Sequence, residues 1–347
     1  MNFSQKLLDW YSFNKRQLPW RKTQNPYFIW LSEIILQQTR VEQGLPYYLK
    51  FIKTFPTLLD LASAKEDQIL KLWQGLGYYS RAKNLHYSAK YIIKYHDGFF
   101  PKEYSEILAL KGVGVYTAAA ISSFSFGLPY AVVDGNVIRV LSRIFGVEEA
   151  YDSSLGKKKY HNLAQKLLDQ TKPAEHNQAI MEFGALQCTP KSPKCSVCIF
   201  ASECIAYNLG SVNKFPVKTK KIKIKKRFIH YLLIKNDNAF LLGKRNTGIW
   251  RGLYDFPFLE YSSHKTEEAV ILSNQWIDFF ANKDYKINSV SDVILHKLTH
   301  QHIYAKFWTL DADKIQLENY IFVHKSELLN YPFSRLIDKF LKDYNIN

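Results

Sequence analysis

The sequence predicts two folded parts of different class: a mainly α-helical half to about residue 210, then an α+β domain. Three observations carry this. Apolar residues of the first part recur at three- and four-residue spacing, with no alternating segment. Between Lys214 and Arg227 stand eight Lys or Arg and no acid, a charge run without a core pattern that reads as a linker or extended segment. Beyond it, short apolar runs separated by turn residues read as strands. At roughly 150 residues per domain, a chain of 347 residues has room for about two cores.

The elements follow in order. The stretch from the N-terminus is charged and amphipathic and has no signal-peptide core. Leu31, Ile34, Ile35 and Gln38 repeat at helical spacing. Ser63-Ala-Lys-Glu66 has the form of a capping box and opens a helix through Leu70 and Leu72, which Gly75 and Gly77 end. Further helices are predicted over 80–95, 103–110, 116–126, 157–168 and 175–186. The uncharged run 112–133 is long enough for a membrane span. It holds Gly112, Gly114, Gly127 and Pro129, however, and fits a glycine turn followed by a buried helix. In the second part, strands are expected over 228–235, 239–245, 303–310 and 320–324, with helices over 266–280 and 334–344.

Composition excludes whole classes. A hydrophobic fraction of 47% with 22% charged residues belongs to a folded chain, not a disordered one. Lys and Arg number 47 against 31 Asp and Glu, a net charge of +16. That excess points to a polyanionic partner, most simply nucleic acid, with general solubility as the plainer account. A cytoplasmic protein without a membrane span is expected.

Four motifs carry chemistry. All four cysteines, Cys188, Cys195, Cys198 and Cys204, lie in one short segment spaced C-x6-C-x2-C-x5-C. Zinc commonly takes two close pairs, and only Cys195 and Cys198 form one. Four thiolates on one loop suit a [4Fe–4S] cluster better, with zinc as the alternative. The segment Leu110-Lys-Gly112-Val-Gly114-Val115-Tyr116 lies between two helices. Its glycines permit a tight turn that brings backbone N–H groups and a helix N-terminus to an anion. A plain helix–turn–helix is the bland reading. Asp134, in Asp134-Gly135-Asn136, is either an N-cap or an electrostatic partner for a developing cation. Glu33 is either one end of a surface pair with Arg40 or a partly buried carboxyl whose raised pKa suits a general acid.

Taken together and in order, Glu33 in SEIILQQT, GLGYY at 75–79, LKGVGVYTA, Asp134 in DGNV and the four-cysteine loop resemble the helix–hairpin–helix glycosylases with an iron–sulfur cluster. The resemblance is closest to the MutY-type adenine DNA glycosylases and runs nearly end to end, from Leu18-Pro-Trp-Arg21 onward. It implies a helix–hairpin–helix glycosylase fold, a six-helix barrel plus iron–sulfur subdomain, over 1–212. A basic linker follows over 213–226, then a Nudix-like 8-oxoguanine recognition domain over 227–347. It implies base-excision repair: hydrolysis of the N-glycosidic bond of adenine mispaired with 8-oxoguanine or guanine in double-stranded DNA, by a monomer carrying one [4Fe–4S] cluster. Glu33 would protonate the flipped base at N7. Asp134 would stay ionised beneath the sugar and stabilise the oxocarbenium ion, with Asn136 and Tyr116 holding both groups. Trp20, Arg21 and Gln178 would surround the adenine. Gln38, Thr39, Leu76 and Tyr78 would fill the gap in the stack or touch the opposite base, ordinary core packing being the alternative for the last two. Gly112, Gly114 and Val115 would grip a phosphate.

Two departures matter. Where bifunctional relatives of the endonuclease III type carry a Schiff-base lysine, this chain has Tyr116, and a phenol cannot form that bond. A monofunctional enzyme is expected, the alternative being an endonuclease III-like lyase on oxidised pyrimidines. Gly252-Leu-Tyr-Asp255-Phe-Pro257 resembles a Nudix segment, but no R-E-x-x-E-E box follows, so no nucleotide hydrolysis is expected. The family reads 8-oxoguanine through a Phe-Ser-His turn. Here the turn is Leu298-Thr299-His300, and Leu298 gives up an aromatic surface.

Overall fold

The structure, a computed structural model, describes residues 3–219, 224–281, 283–312, 315 and 317–343. The chain forms two compact units: Met1–Ser63 with Lys83–Lys220, and Ala64–Ala82 with Lys221–Asn347. Lys221 and Lys223 of the basic run lie outside the described residues.

In chain order the helices are α1 (Phe3–Asn14), α2 (Pro26–Leu36), α3 (Val41–Thr54), α4 (Leu58–Ser63), α5 (Glu66–Leu72), α6 (Ser80–Tyr95), α7 (Tyr104–Ala109), α8 (Val115–Phe126), α9 (Gly135–Phe145), α10 (Ser154–Leu167), α11 (Pro173–Leu186) and α12 (Ile205–Asn208). Single 3-10 turns form at Pro19–Arg21 and between the cysteines. Asn25 caps α2 by accepting from the Tyr27 N–H, and Pro26 occupies its first turn, where a missing N–H costs nothing. Nearly all of α2 is buried, as is α8 from Thr117 to Phe124. A helix apolar all round belongs at the centre of a core. The small residues Ala118, Ala119, Ala120, Ser122 and Ser123 let neighbours approach α8, which packs on α2, α7 and α11. The run 112–133 is therefore a glycine turn and a core helix. Among the described residues, no helix is long and apolar enough to cross a membrane.

One boundary differs from expectation. Ser63 ends α4 and does not cap α5. The N-cap of α5 is Lys65, whose backbone N–H donates to Gln68 Oε1 at 3.0 Å. The Gln supplies the reciprocal half of a capping box from a frame two residues later.

Among the described residues of the second unit, eight strands form one mixed sheet: β1 (Lys225–Asn236), β2 (Ala239–Lys244), β3 (Tyr254–Asp255), β4 (Phe258–Tyr261), β5 (Tyr285–Val290), β6 (Ile294–Lys297), β7 (Gln301–Ala312) and β8 (Tyr320–His324). β1 runs parallel to β7, with Phe228 opposite Tyr304 and Leu233 opposite Thr309; the other pairings between these strands are antiparallel. β1 is buried on both faces, which is why it reads as a continuous apolar run. Ile229, Tyr231 and Leu233 face a core closed by α15 (Arg335–Asp343). Leu232 and Ile234 face a second core, where α13 (Glu267–Ile271) and α14 (Asn274–Phe280) pack. The predicted helix over 266–280 is thus two, because Ser273 caps a new one. The last basic residues, Lys225 to Arg227, are strand rather than linker, and Arg227 pairs with Glu260.

The segment 64–82 belongs to this unit although its sequence position lies within the helical half. Its own polar groups fasten it there. Tyr79 donates to the Phe333 carbonyl at 3.1 Å, Lys71 to that of Tyr331 at 3.1 Å, and Gln74 to Asp338 at 2.5 Å. Lys244 pairs with Asp67 at 2.6 Å.

Candidate active site

Glu33 lies on the core helix α2 and is 7% exposed. It is not a surface partner of Arg40: the Tyr116 hydroxyl donates to its Oε2 at 2.8 Å. Burial raises the Glu33 pKa to about 7; the Tyr116 hydrogen bond opposes the rise, the Asp134 charge adds to it and Arg21 opposes it. A carboxyl held at that value carries its proton for about half the time near neutrality, as a general acid must. Tyr116 sits at the start of α8 and also lies 3.3 Å from Met181 Sδ. Burial and the neighbouring carboxylates push its hydroxyl well above the usual range, so it stays a neutral donor.

Asp134 is the N-cap of α9, and its carboxylate also holds Asn136. Its Oδ1 accepts the Val137 N–H at 2.8 Å, while Oδ2 accepts from Asn136 Nδ2 at 2.7 Å. Burial raises its pKa, and those hydrogen bonds and Arg139 oppose the rise. Arg139 holds Asn136 in turn, donating to Asn136 Oδ1 at 2.8 Å, to the Gly184 carbonyl at 2.6 Å and to the Cys188 carbonyl at 2.7 Å. One guanidinium thus ties the Asp134 turn to the start of the cysteine segment.

The residues expected around the base divide. Trp20 is buried, edge-on to Tyr48 at 5.2 Å. Gln178 accepts from the Tyr11 hydroxyl at 2.8 Å. Arg21 makes a two-pronged pair with Glu182, at 3.0 and 2.8 Å, which Arg16 also grips at 2.9 and 2.7 Å. Burial opposes ionisation of Glu182, yet the hydrogen bonds from both arginines prevail and take its pKa to about 2. Sequence reasoning missed Glu182. Its signal was an acid four residues after Gln178, hence on the same face of α11 and within the apolar run that ends it.

Gln38 is exposed in a left-handed turn, φ 54°, between α2 and α3, with Thr39 beside it. In the hairpin, Gly112 has φ +85° and Gly114 is the N-cap of α8, with no side chain bonded to the cap. Val115 stands 53% exposed at the first helical position. The cap residue of α8 thus supplies no side-chain acceptor to its first N–H groups, and a helix start of that kind can receive an anion. A Cβ on Gly112 would lie 2.7 Å from Asn84 Cβ. Gly112→Ala should accordingly lower stability by roughly 2 kcal/mol or more and weaken duplex binding, read by thermal denaturation and anisotropy.

The cysteine segment hangs on Phe200, which is buried against Phe3 and Phe183. All four cysteines line one small cavity with Arg143, Ile144 and Phe183. Arg143 reaches Cys188 Sγ at 3.5 Å, and the Phe200 N–H reaches Cys198 Sγ at 3.5 Å. Burial pushes the Cys198 thiol up to about 11, so thiolates here need a cation to form. Among the described residues, no three His, Cys, Asp or Glu converge on a point where a single ion would sit. One zinc would draw the sulfurs to about 2.3 Å from one centre. A cluster would take one thiolate at each of four corners; four sulfurs lining one cavity are a donor set for either group.

In the second unit, Leu76 is buried and Tyr78 is 46% exposed, so of the two the structure presents only Tyr78. The Tyr78 and Thr299 hydroxyls are hydrogen-bonded at 2.6 Å. Thr299 and His300 are exposed on the β6–β7 turn, which the Leu298 N–H closes onto the Gln301 carbonyl at 2.7 Å. Leu298 packs against the sheet core.

Known proteins share this organisation. Residues 31–187 match the HhH-GPD superfamily of base excision DNA repair proteins, and residues 230–343 match the NUDIX domain. The adenine DNA glycosylase of Buchnera aphidicola subsp. Acyrthosiphon pisum is 38% identical over 303 residues, 86% of this chain and 83% of that protein. That of Homo sapiens is 42% identical over 213 residues, 59% of this chain and 39% of that protein. The structure of a thermostable thymine-DNA glycosylase superposes with a TM-score of 0.56 at 32% identity, over 60% of this chain and 95% of that one. An endonuclease III–DNA complex, at 20% identity and a TM-score of 0.53, shares the fold over 60% of this chain and 94% of that one. The chain belongs to the adenine DNA glycosylase family, a DNA-repair glycosylase region of the HhH-GPD type followed by a Nudix-type domain.

Proposed function

We propose that this protein excises adenine paired with 8-oxoguanine or guanine in duplex DNA and leaves an abasic site, acting as a monomer in the cytoplasm. The observation that carries the reading is the placement of Glu33: buried, given a hydrogen bond by Tyr116, and held near neutral pKa close to Asp134. Protonation of the flipped adenine by Glu33 makes the base a better leaving group. Asp134, oriented through Asn136 and Arg139, stabilises the cationic sugar. Glu33, once ionised, accepts a proton from the attacking water. Trp20, Arg21 and Gln178 bound the base, and the buried Glu182 holds Arg21 in place. Tyr116 is no Schiff-base nucleophile, and Lys111 is turned onto the Tyr87 ring, 4.4 Å away. Gln38, Thr39 and Tyr78 contact the duplex, and Thr299 and His300 read the opposite base.

The four cysteines would hold one [4Fe–4S] cluster, whose part is to fix the fold of residues 188–204. Purified protein should be yellow-brown with broad visible absorption, and Cys198→Ser should lose the colour along with much of its solubility or DNA affinity. Colourless protein with stoichiometric zinc would reverse the assignment.

Base release with and without alkali on duplexes bearing 8-oxoG:A, G:A and thymine glycol:A tests the whole reading. Adenine release that yields strand breaks only after alkali is expected. Breaks at thymine glycol without alkali would favour the lyase.

A further inference from the structure

Helix α6 has two unlike faces. Leu85, Ala89 and Ile92 are buried at 1% exposure or less and hold the helix in its core. The outer face carries Tyr87, Lys90, Tyr91, Lys94 and Tyr95, and no acid occurs between Ser80 and Tyr95. The three tyrosines are 54, 38 and 60% exposed. They follow at steps of four residues, roughly 6 Å apart along the axis, on one side of the helix. Tyr91 and Tyr95 lie with ring centroids 4.8 Å apart. Lysines attend the row at both ends: Lys94 Nζ is 4.9 Å from the Tyr95 ring and Lys111 Nζ 4.4 Å from Tyr87. The row is continuous with the hairpin, since Ser88 Oγ donates to the Lys111 carbonyl at 3.0 Å and Gly112 abuts Asn84.

We propose that this tyrosine–lysine face of α6 is a second nucleic-acid site, a track along which a single strand runs on from the hairpin. Alternating cations and exposed rings match a ligand that alternates phosphates with π-faces, which is how sequence-tolerant single-strand sites are built. A duplex keeps its bases stacked inside and cannot lay them on these rings. An apolar helix partner would meet lysines where it needs Leu or Met. The adenine-excision chemistry uses none of these side chains. The argument rests on the phosphate-gripping role of the hairpin only for the continuity of the track.

The test uses the full-length protein and a fluorescein-labelled 20-nucleotide oligo(dT), with anisotropy read at one fixed salt concentration. Tyr87→Ala/Tyr91→Ala/Tyr95→Ala should bind the strand at least tenfold more weakly, because stacking on each ring is lost. Its single-turnover release of adenine from an 8-oxoG:A duplex should stay unchanged, which also shows that the variant is folded. The Phe triple variant, which keeps the π-faces, should retain the affinity. Equal oligo(dT) binding by the Ala variant and the unaltered protein would overturn the proposal. So would loss of binding to a polyglutamate peptide alone, which would make this the site of an acidic protein. If instead Gly112→Ala left duplex binding intact while the triple Ala variant still lost oligo(dT), the hairpin reading would fail and the track would stand.

Discussion

Glu33→Gln should lower the single-turnover rate of adenine release by roughly 10²–10⁴-fold, the usual contribution of a positioned acid, with duplex affinity largely kept. The amide retains the shape and can still accept from Tyr116, so only the proton is lost. Near-normal rates would remove Glu33 from the role. The pH dependence has a defined sign. In the proposed roles Glu33 acts protonated, so activity should fall as pH rises through about 7; Asp134 acts ionised, so activity should also fall on the acid side, at a pH above the ordinary carboxylate value. Stability follows the same linkage. The folded pKa of Glu33 lies above the ordinary 4.5, so the folded state binds the proton more tightly. The favourable contribution is complete below pH 4.5 and is lost as pH rises to about 7. The neutral Gln escapes that loss, so the variant should be the more stable form at pH 8, by an amount on the order of 3 kcal/mol. Thermal denaturation of both proteins at pH 5 and pH 8 should show the gap widening with pH. A gap independent of pH would mean that the ionised side chain finds solvent.

The second large effect concerns lesion preference. Thr299→Val with His300→Ala should lower the ratio of 8-oxoG:A to G:A excision rates roughly tenfold or more, since each lost hydrogen bond to the lesion costs about 1–3 kcal/mol if its partner is left unpaired. G:A excision itself should barely change. Truncation near residue 220 looks like the simpler experiment, because the hairpin, both carboxylates and all four cysteines remain. The structure shows why it should behave differently. Residues 64–82 belong with the C-terminal domain, and Gln74, Tyr78 and Tyr79 bond directly to Asp338, Thr299 and Phe333. A truncated chain strips that segment of its support and should lose G:A activity as well. Single-turnover rates on both duplexes at one salt concentration separate the outcomes. A truncated protein with full G:A activity would show that 64–82 holds its shape alone, and an unchanged ratio in the double variant would take lesion reading away from the β6–β7 turn.

Much of this was legible before any coordinates. Helices with a single apolar stripe, such as α6, were read with both ends correct, and β8 likewise, because periodicity and local turn residues decide such elements. α3 was hidden by Gly44 and Pro46, residues that ordinarily argue against a helix although Pro46 lies inside this one, and α9 by a sequence that reads first as a cap. The identities of Glu33, Asp134, Tyr116 and the four cysteines came from motif order, because the chemistry needs those residue types and the chain supplies them at recognisable spacings. Other decisions required atoms far apart in sequence. That Glu33 is a buried acid and not half of a surface pair depends on Tyr116, 83 positions away. That Arg21 is clamped depends on Glu182, 161 positions away. That the Tyr78 hydroxyl is held depends on Thr299, 221 positions away. The sequence by itself determined which groups are available and where the chain turns. Burial and long-range hydrogen bonds, which only the tertiary structure brings about, decided which of those groups hold a proton, which hold each other and which face a ligand.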